Sequence, residues 1–161
     1  MPTDVRARPT IMRKVVAGHM NGGGREMQTR DVMKSHPSVV LADDSIQKAA
    51  RIMRDRNIGM LPVVGNLRYR SLMGVLTDRD IVVRCAAAGH GPDCKVRDHM
   101  TRGSIVSVGP DTDAKEIAVR MDGFHLRRLP VVDRSGGVVG VVALADISAA
   151  LSADYGLVTT V

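Results

Sequence analysis

The chain has 161 residues, a formal net charge of +6, 44% apolar residues and 25% charged residues. This suits one ordinary globular domain, or two small halves sharing a core, and leaves no room for a catalytic domain beside a separate regulatory one. No apolar run approaches the ~18 residues of a membrane helix, and Arg13 and Lys14 interrupt the N-terminus before any signal-like apolar stretch, so a cytoplasmic location without membrane contact is expected.

Residues 1–27 read as a basic, glycine-containing flexible tail. Five basic side chains stand there against Asp4 and Glu26, half of the net positive excess. Gly22, Gly23 and Gly24 follow no predicted strand, so they form a linker rather than a phosphate loop. A basic tail can attract nucleic acid, and arginine outnumbers lysine 18 to 5, which suits phosphate. Against that stands the scarcity of aromatic stacking groups, which are Tyr69, Phe124 and Tyr155. Nucleic acid is not expected as the partner.

From residue 28 onward the elements come in two rounds. Thr29–Arg30–Asp31–Val32–Met33 opens the first, and Ser38–Leu41 follows as a short strand. Asp43–Asp44–Ser45 then caps a helix whose Ile46, Ala49, Ala50 and Met53 fall on one face. Leu61–Pro62–Val63–Val64 reads as a buried strand, Gly65–Asn66 as a turn, and Leu72–Leu76 as the next strand. A helix over Asp78–Ala88 closes the round, with Gly89 placed for a left-handed cap. The second round repeats this order. Val96–Arg97–Asp98–His99–Met100 is followed by a strand over Ser104–Val108 and a helix capped by Asp111–Thr112–Asp113. That helix aligns Ala114, Ile117, Ala118 and Met121. The strands Leu129–Val132 and Val138–Val142 and the helix Leu144–Leu151 complete it. The resulting division is repeat one over 28–89, a linker over 90–95, repeat two over 96–152 and a C-terminal extension over 153–161. Strand–helix–strand–strand–helix units of this size are α/β (α+β). Neither is large enough to stand alone, so the two are expected to pack sheet to sheet.

The strand Leu61–Val64, followed by Gly74–Val75–Leu76–Thr77–Asp78–Arg79–Asp80–Ile81, resembles the CBS domain, named after cystathionine β-synthase. Leu129–Val132 with Gly140–Val141–Val142–Ala143–Leu144–Ala145–Asp146–Ile147 resembles it again. Such domains occur as tandem pairs (Bateman modules), and the resemblance covers residues 28–152. It implies a regulatory module rather than an enzyme. The implied ligand is adenosine-containing (AMP, ADP, ATP, NAD or S-adenosylmethionine), bound between the repeats, with no cofactor. It further implies a homodimer, a disc of four repeats, and an unidentified protein partner regulated in trans. On the matched positions, Asp80 would hold ribose hydroxyls, Thr77 would add a hydroxyl, and Arg79 would meet phosphate. Ser38, Val40, Ile58, Gly59, Met60 and Pro62 would enclose the base. In the second copy Asp146 persists with Arg127, Arg128 and Pro130, but Ala143 replaces the threonine, so the site at Asp80 is expected to be the better one. Read from the residues alone, Thr77, Asp78 and Asp80 are equally an N-cap and its first turn. The alternative to a sensor is a dimeric scaffold that binds no ligand, or a nucleic-acid binder acting through the tail.

Cys85, His90, Cys94 and His99 fall at intervals of five, four and five. Zinc sites usually use closer cysteine pairs, so free linker thiols and surface histidines are expected here, with no metal assigned. Met33 and Met100 occupy equivalent places and are expected to pack. No phosphate loop, His-Glu-x-x-His helix or nucleophile elbow occurs, and no catalytic residue is assigned.

Overall fold

The two apolar stripes of the sequence become core helices in the computed structural model, which describes residues 26–154. Most of the basic tail, and the chain from 155 on, lie outside the described residues. The chain order is α1 (Thr29–Val32), β1 (Lys34–Ser35), β2 (Val40–Leu41), α2 (Ile46–Arg56), β3 (Met60–Val64), β4 (Leu72–Thr77) and α3 (Asp78–Asp80, continued by a π-helical stretch over Ile81–Ala86). Then follow α4 (Val96–His99), α5 (Ala114–Gly123), β5 (Arg128–Val132), β6 (Val138–Ala143) and α6 (Leu144–Asp154).

Local chemistry explains the helix starts. Ser45 accepts the Lys48 N–H at the head of α2, and Asp113 accepts those of Lys115 and Glu116 at the head of α5. Asn57 ends α2 in the left-handed conformation, at φ 51°; Gly89 has φ 73°, as its position after the next helix predicts. Ile46, Ala49 and Met53 bury against β3 and β4, while Ala114, Ile117 and Met121 fill the second core.

Each repeat builds one small sheet. In the first, β2 runs parallel to β3 and β4 runs antiparallel to it, with Leu61 opposite Leu76. In the second, β5 and β6 pair antiparallel with Leu129 opposite Val142. The expected strand over Ser104–Val108 is corrected to a single residue: Val108 alone bridges to Val131. Upstream, Ile105 donates to the carbonyl of Gly103 in a tight turn that takes the chain off the sheet edge. The first copy is likewise shorter than expected, with only Val40 and Leu41 paired.

The packing of the halves goes beyond contact between faces. Strand β1 lies at the start of the first repeat yet pairs with β6 of the second, Lys34 opposite Val141. Thr101 makes the mirror exchange and bridges to Val75 of β4. The short helices cross too: Thr29 and Arg30 donate to the carbonyls of Thr112 and Pro110, and Val96 and Arg97 to those of Asp44 and Ala42. Val96 and Met100 therefore complete the first core, and Met27, Val32 and Met33 pack on the second. The exchange supplies the apolar burial that a lone repeat of this size lacks. It also requires glycine at position 74, where a Cβ would sit 2.7 Å from the Thr101 carbonyl oxygen; a Cβ on Gly140 would press on the Met33 side chain, which can shift. At the centre, Leu72 and Val138 donate to the carbonyls of Gly136 and Arg70, stitching the two sheets together. Every residue of β3 is buried, so this central strand is covered on both faces.

Candidate functional site

The antiparallel register of β3 and β4 sets Met60 directly opposite Thr77, and Asp78 at the start of α3 donates its N–H to the carbonyl of Gly59. One corner of the first repeat thus collects Gly59, Met60, Thr77, Arg79 and Asp80. Pro62 follows on the same strand; Ser38 lies two residues before β2. The side chain of Val40, 1% exposed, packs in the first core, and Ile58 packs against it; what Val40 offers a ligand is backbone.

Gly59 matters because of what lies over it. The Asp78 carboxylate and the Arg128 guanidinium both reach within 3.4 Å of the point a Cβ would occupy. Arg128 belongs to the second repeat, so a cation from one half stands at the helix mouth of the other. Thr77 and Asp80 form a reciprocal cap: the Thr77 hydroxyl accepts the Asp80 N–H at 3.1 Å and donates to Asp80 Oδ2 at 2.7 Å. The other Asp80 oxygen faces Arg84 Nε at 3.4 Å. Arg79 is exposed.

The second copy differs as its sequence does. Arg127 offers its carbonyl to the N–H of Leu144, the same backbone link as in the first repeat. Arg128 lies opposite Ala143, which has no hydroxyl. Asp146 Oδ2 consequently has no hydrogen-bond partner; its nearest cation is Lys34 Nζ at 3.9 Å, brought over by the strand exchange.

Between the repeats lies a cleft of about 200 Å³. Met60, Val75 and Thr101 line one side. Ile105, Val106, Leu126, Arg128 and Pro130 line the other, with Ser104, Phe124 and Leu129 completing it. Its walls are mostly apolar, with Arg128 as the only charged group among the described residues that line it. Pockets for drug-sized ligands measure roughly 300–1,000 Å³, so this smaller volume suits a flat heterocycle whose polar remainder extends out of the mouth. Of the residues selected from the sequence, Met60, Arg128 and Pro130 line the cleft. The others flank it on the same strands and helix starts, or pack in the core. Sequence reasoning missed Val106 and Leu126, although they are the counterparts of Ser38 and Ile58 at the repeat spacing. Val75 was quoted only as part of the motif strand, and nothing in the sequence marked Thr101; the two meet at the cleft through the exchange.

Two groups of the first repeat, away from the cleft lining, have shifted acidities. Burial alone would raise the Asp44 carboxyl, but the Lys48 hydrogen bond, the Leu41 N–H and the charges of Lys48 and Lys95 together hold it below its ordinary value. Burial pushes the Cys85 thiol up, and Cys94 beside it adds to the shift. The linker histidines differ from expectation: His90 is exposed, but His99 is 3% exposed rather than on the surface. No helix among the described residues is long and apolar enough to cross a membrane.

Comparison with known proteins gives a consistent picture. The family model of the CBS domain matches twice, over residues 30–86 and 96–153. The chain is 35% identical over 119 residues to the CBS domain-containing protein YhcV of Bacillus subtilis, covering 74% of this chain and 81% of that one. Among solved structures, Hypoxic Response Protein I, described with two coordinated zinc ions, is 33% identical with a TM-score of 0.68, over 76% of this chain and 98% of that one. The CBS domain pair of protein MJ0100, in complex with 5-methylthioadenosine and S-adenosyl-L-methionine, is 27% identical with a TM-score of 0.69, over 81% and 99%. CBSX2 in complex with AMP is 25% identical with a TM-score of 0.66, over 79% and 98%.

Proposed function

The chain belongs to the CBS-domain family as a tandem pair, and from that premise we propose that it is a non-catalytic, cytoplasmic sensor of an adenosine-containing ligand. The ligand binds in the cleft between the repeats and alters a protein partner in trans. The observation that carries this reading is the cleft itself: it is apolar, sized for a purine ring, and walled by both repeats. A ligand there touches the seam directly, so it binds differently to different packings of the halves. Only such differential affinity can transmit a signal.

Three groups support an adenosine compound in particular. The Asp146 carboxylate has an oxygen without a protein donor, and ribose hydroxyls are donors. It lies in the first turn of α6, and Thr77 and Asp80 occupy the equivalent place at α3. Arg128 in the wall and Arg79 at the α3 terminus suit phosphate or carboxylate. The Asp146 oxygen, buried with no hydrogen-bond partner, contrasts with the satisfied Asp80 cap and favours the second-repeat side as the first to fill, the reverse of the order expected from the sequence. Assembly as a homodimer of pairs follows the family habit, and exposed Val82, Val83, Val119 and Phe124 supply apolar helix surface for it.

Isothermal titration with AMP, ATP and S-adenosylmethionine tests the reading. Saturable binding of one of them, weakened at least tenfold by Asp146→Ala or Asp80→Ala, supports it. Absence of binding by all three, or binding indifferent to both substitutions, defeats it.

A further inference from the structure

Outside the cleft, one cluster of soft ligand groups has no role in the account above. Cys85 sits in the π-helical part of α3, Cys94 in the linker, and His99 at the end of α4. Their two sulfurs and an imidazole nitrogen all lie within 4.8 Å of one another. Cys85 and His99 are each 3% exposed, and Cys94 is half-buried. His99 Nε2 is buried with no hydrogen-bond partner, an arrangement that costs free energy unless something fills it. The Cys85 thiol makes long contacts of 3.9 Å to the carbonyls of His90 and Gly91, with Cys94 beside it.

We propose that Cys85, Cys94 and His99 hold a divalent transition-metal ion, zinc by the chemistry of the set. Two thiolates and an imidazole select zinc-like ions over magnesium or calcium, which take oxygen ligands. Metal bonds of about 2.0–2.3 Å in a tetrahedron set ligand atoms roughly 3.3–3.8 Å apart, so the three groups need only close in by about an ångström. On binding, each thiol gives its proton to solvent. Two thiolates then cancel the charge of the ion, which is what a buried site requires. The His90 ring lies 5.2 Å from that of His99, outside the three-group cluster.

The backbone aims these groups. Ala87 and His90 donate to the carbonyls of Val82 and Cys85, bonds that span five residues and widen the helix at the cysteine. The ion ties α3 of the first repeat to α4 at the start of the second. Arg84 continues the link, donating to the carbonyl of His99 at 3.0 Å and to the hydroxyl of Thr101 at 3.2 Å. The site therefore clamps the seam whose far end, Thr101, lines the cleft.

The test uses the full chain, reduced and stripped with a chelator, then titrated with Co2+ and afterwards Zn2+. The expected result is one Co2+ per chain with the near-ultraviolet thiolate-to-cobalt band, displaced by Zn2+, and lost in Cys94→Ser and His99→Ala. Zn2+ is also expected to protect both wild-type cysteines from alkylation by N-ethylmaleimide, a readout that needs no variant to fold. Absence of the thiolate band, equal Co2+ binding by Cys94→Ser, or cysteines alkylated equally fast with and without Zn2+ would each overturn the assignment.

Discussion

Gly74→Ala should loosen the exchange that joins the repeats. The added methyl would lie 2.7 Å from the Thr101 carbonyl oxygen and 2.9 Å from the Met100 sulfur. The sulfur can swing aside, but the carbonyl cannot without stretching the two bonds that join Val75 and Thr101, at 3.0 and 2.8 Å. Overpacking costs about 1–3 kcal/mol, and each weakened bond removes up to about 1 kcal/mol. Replacing a strand glycine returns about 0.5–1 kcal/mol of backbone entropy. The balance is a loss of about 3 kcal/mol, which lowers Tm by roughly 6–12 °C for a chain of this length. The assay is thermal unfolding followed by far-ultraviolet circular dichroism. Gly123→Ala is the control, because a Cβ there meets nothing within 4 Å. Equal Tm for the two variants would refute the argument, as would a wild-type chain that melts in two separated transitions.

Thr77→Val removes the hydroxyl that caps α3 and should cost about 1 kcal/mol; Ala143→Thr offers Asp146 the same partner and should raise Tm by up to about 4 °C. Both are read by the same melts, and a Tm unchanged in Thr77→Val would show that the cap contributes nothing. Asp44→Asn tests the depressed carboxyl. Because the folded-state value lies below the unfolded one, its contribution is present above about pH 4 and is lost as pH falls through the folded value. The Tm gap between variant and wild type should therefore be full at neutral pH and shrink on acidification, and a gap that widens toward low pH would reverse the sign of the argument.

Much of the fold was legible because it depends on local period. Ile46, Ala49 and Met53, and Ala114, Ile117 and Met121, are buried in the places their spacing dictates, and Gly89 adopts the conformation its position implies. The exchange of β1 and Thr101 was not legible: it rests on pairing between residues far apart in the chain, and a two-residue strand has no pattern of its own. The strand expected at Ser104–Val108 failed for a related reason. Its β-branched residues serve the cleft wall, and only Val108 has an edge to pair with. In the site, the copy-to-copy offset placed Met60, Arg128 and Pro130, but not the reach of Arg128 to Gly59, which depends on how the halves are set against each other. The cysteine and histidine intervals did not show that Cys85, Cys94 and His99 meet, because spacing along the chain is not distance; the linker folds back and brings Cys94 beside Cys85.

Sensing by this pair turns on an adenosine compound occupying the inter-repeat cleft, and a thermal-shift panel reads that occupancy most directly. The purified full chain would be melted with AMP, ADP, ATP, NAD and S-adenosylmethionine in turn. A ligand at about 100 times its Kd adds about 2.7 kcal/mol, a rise in Tm of roughly 5–10 °C for this chain. The predicted result is such a rise with at least one adenosine compound, absent with a pyrimidine nucleotide of equal charge. An unchanged Tm across the panel, or equal rises with purine and pyrimidine nucleotides, would contradict it.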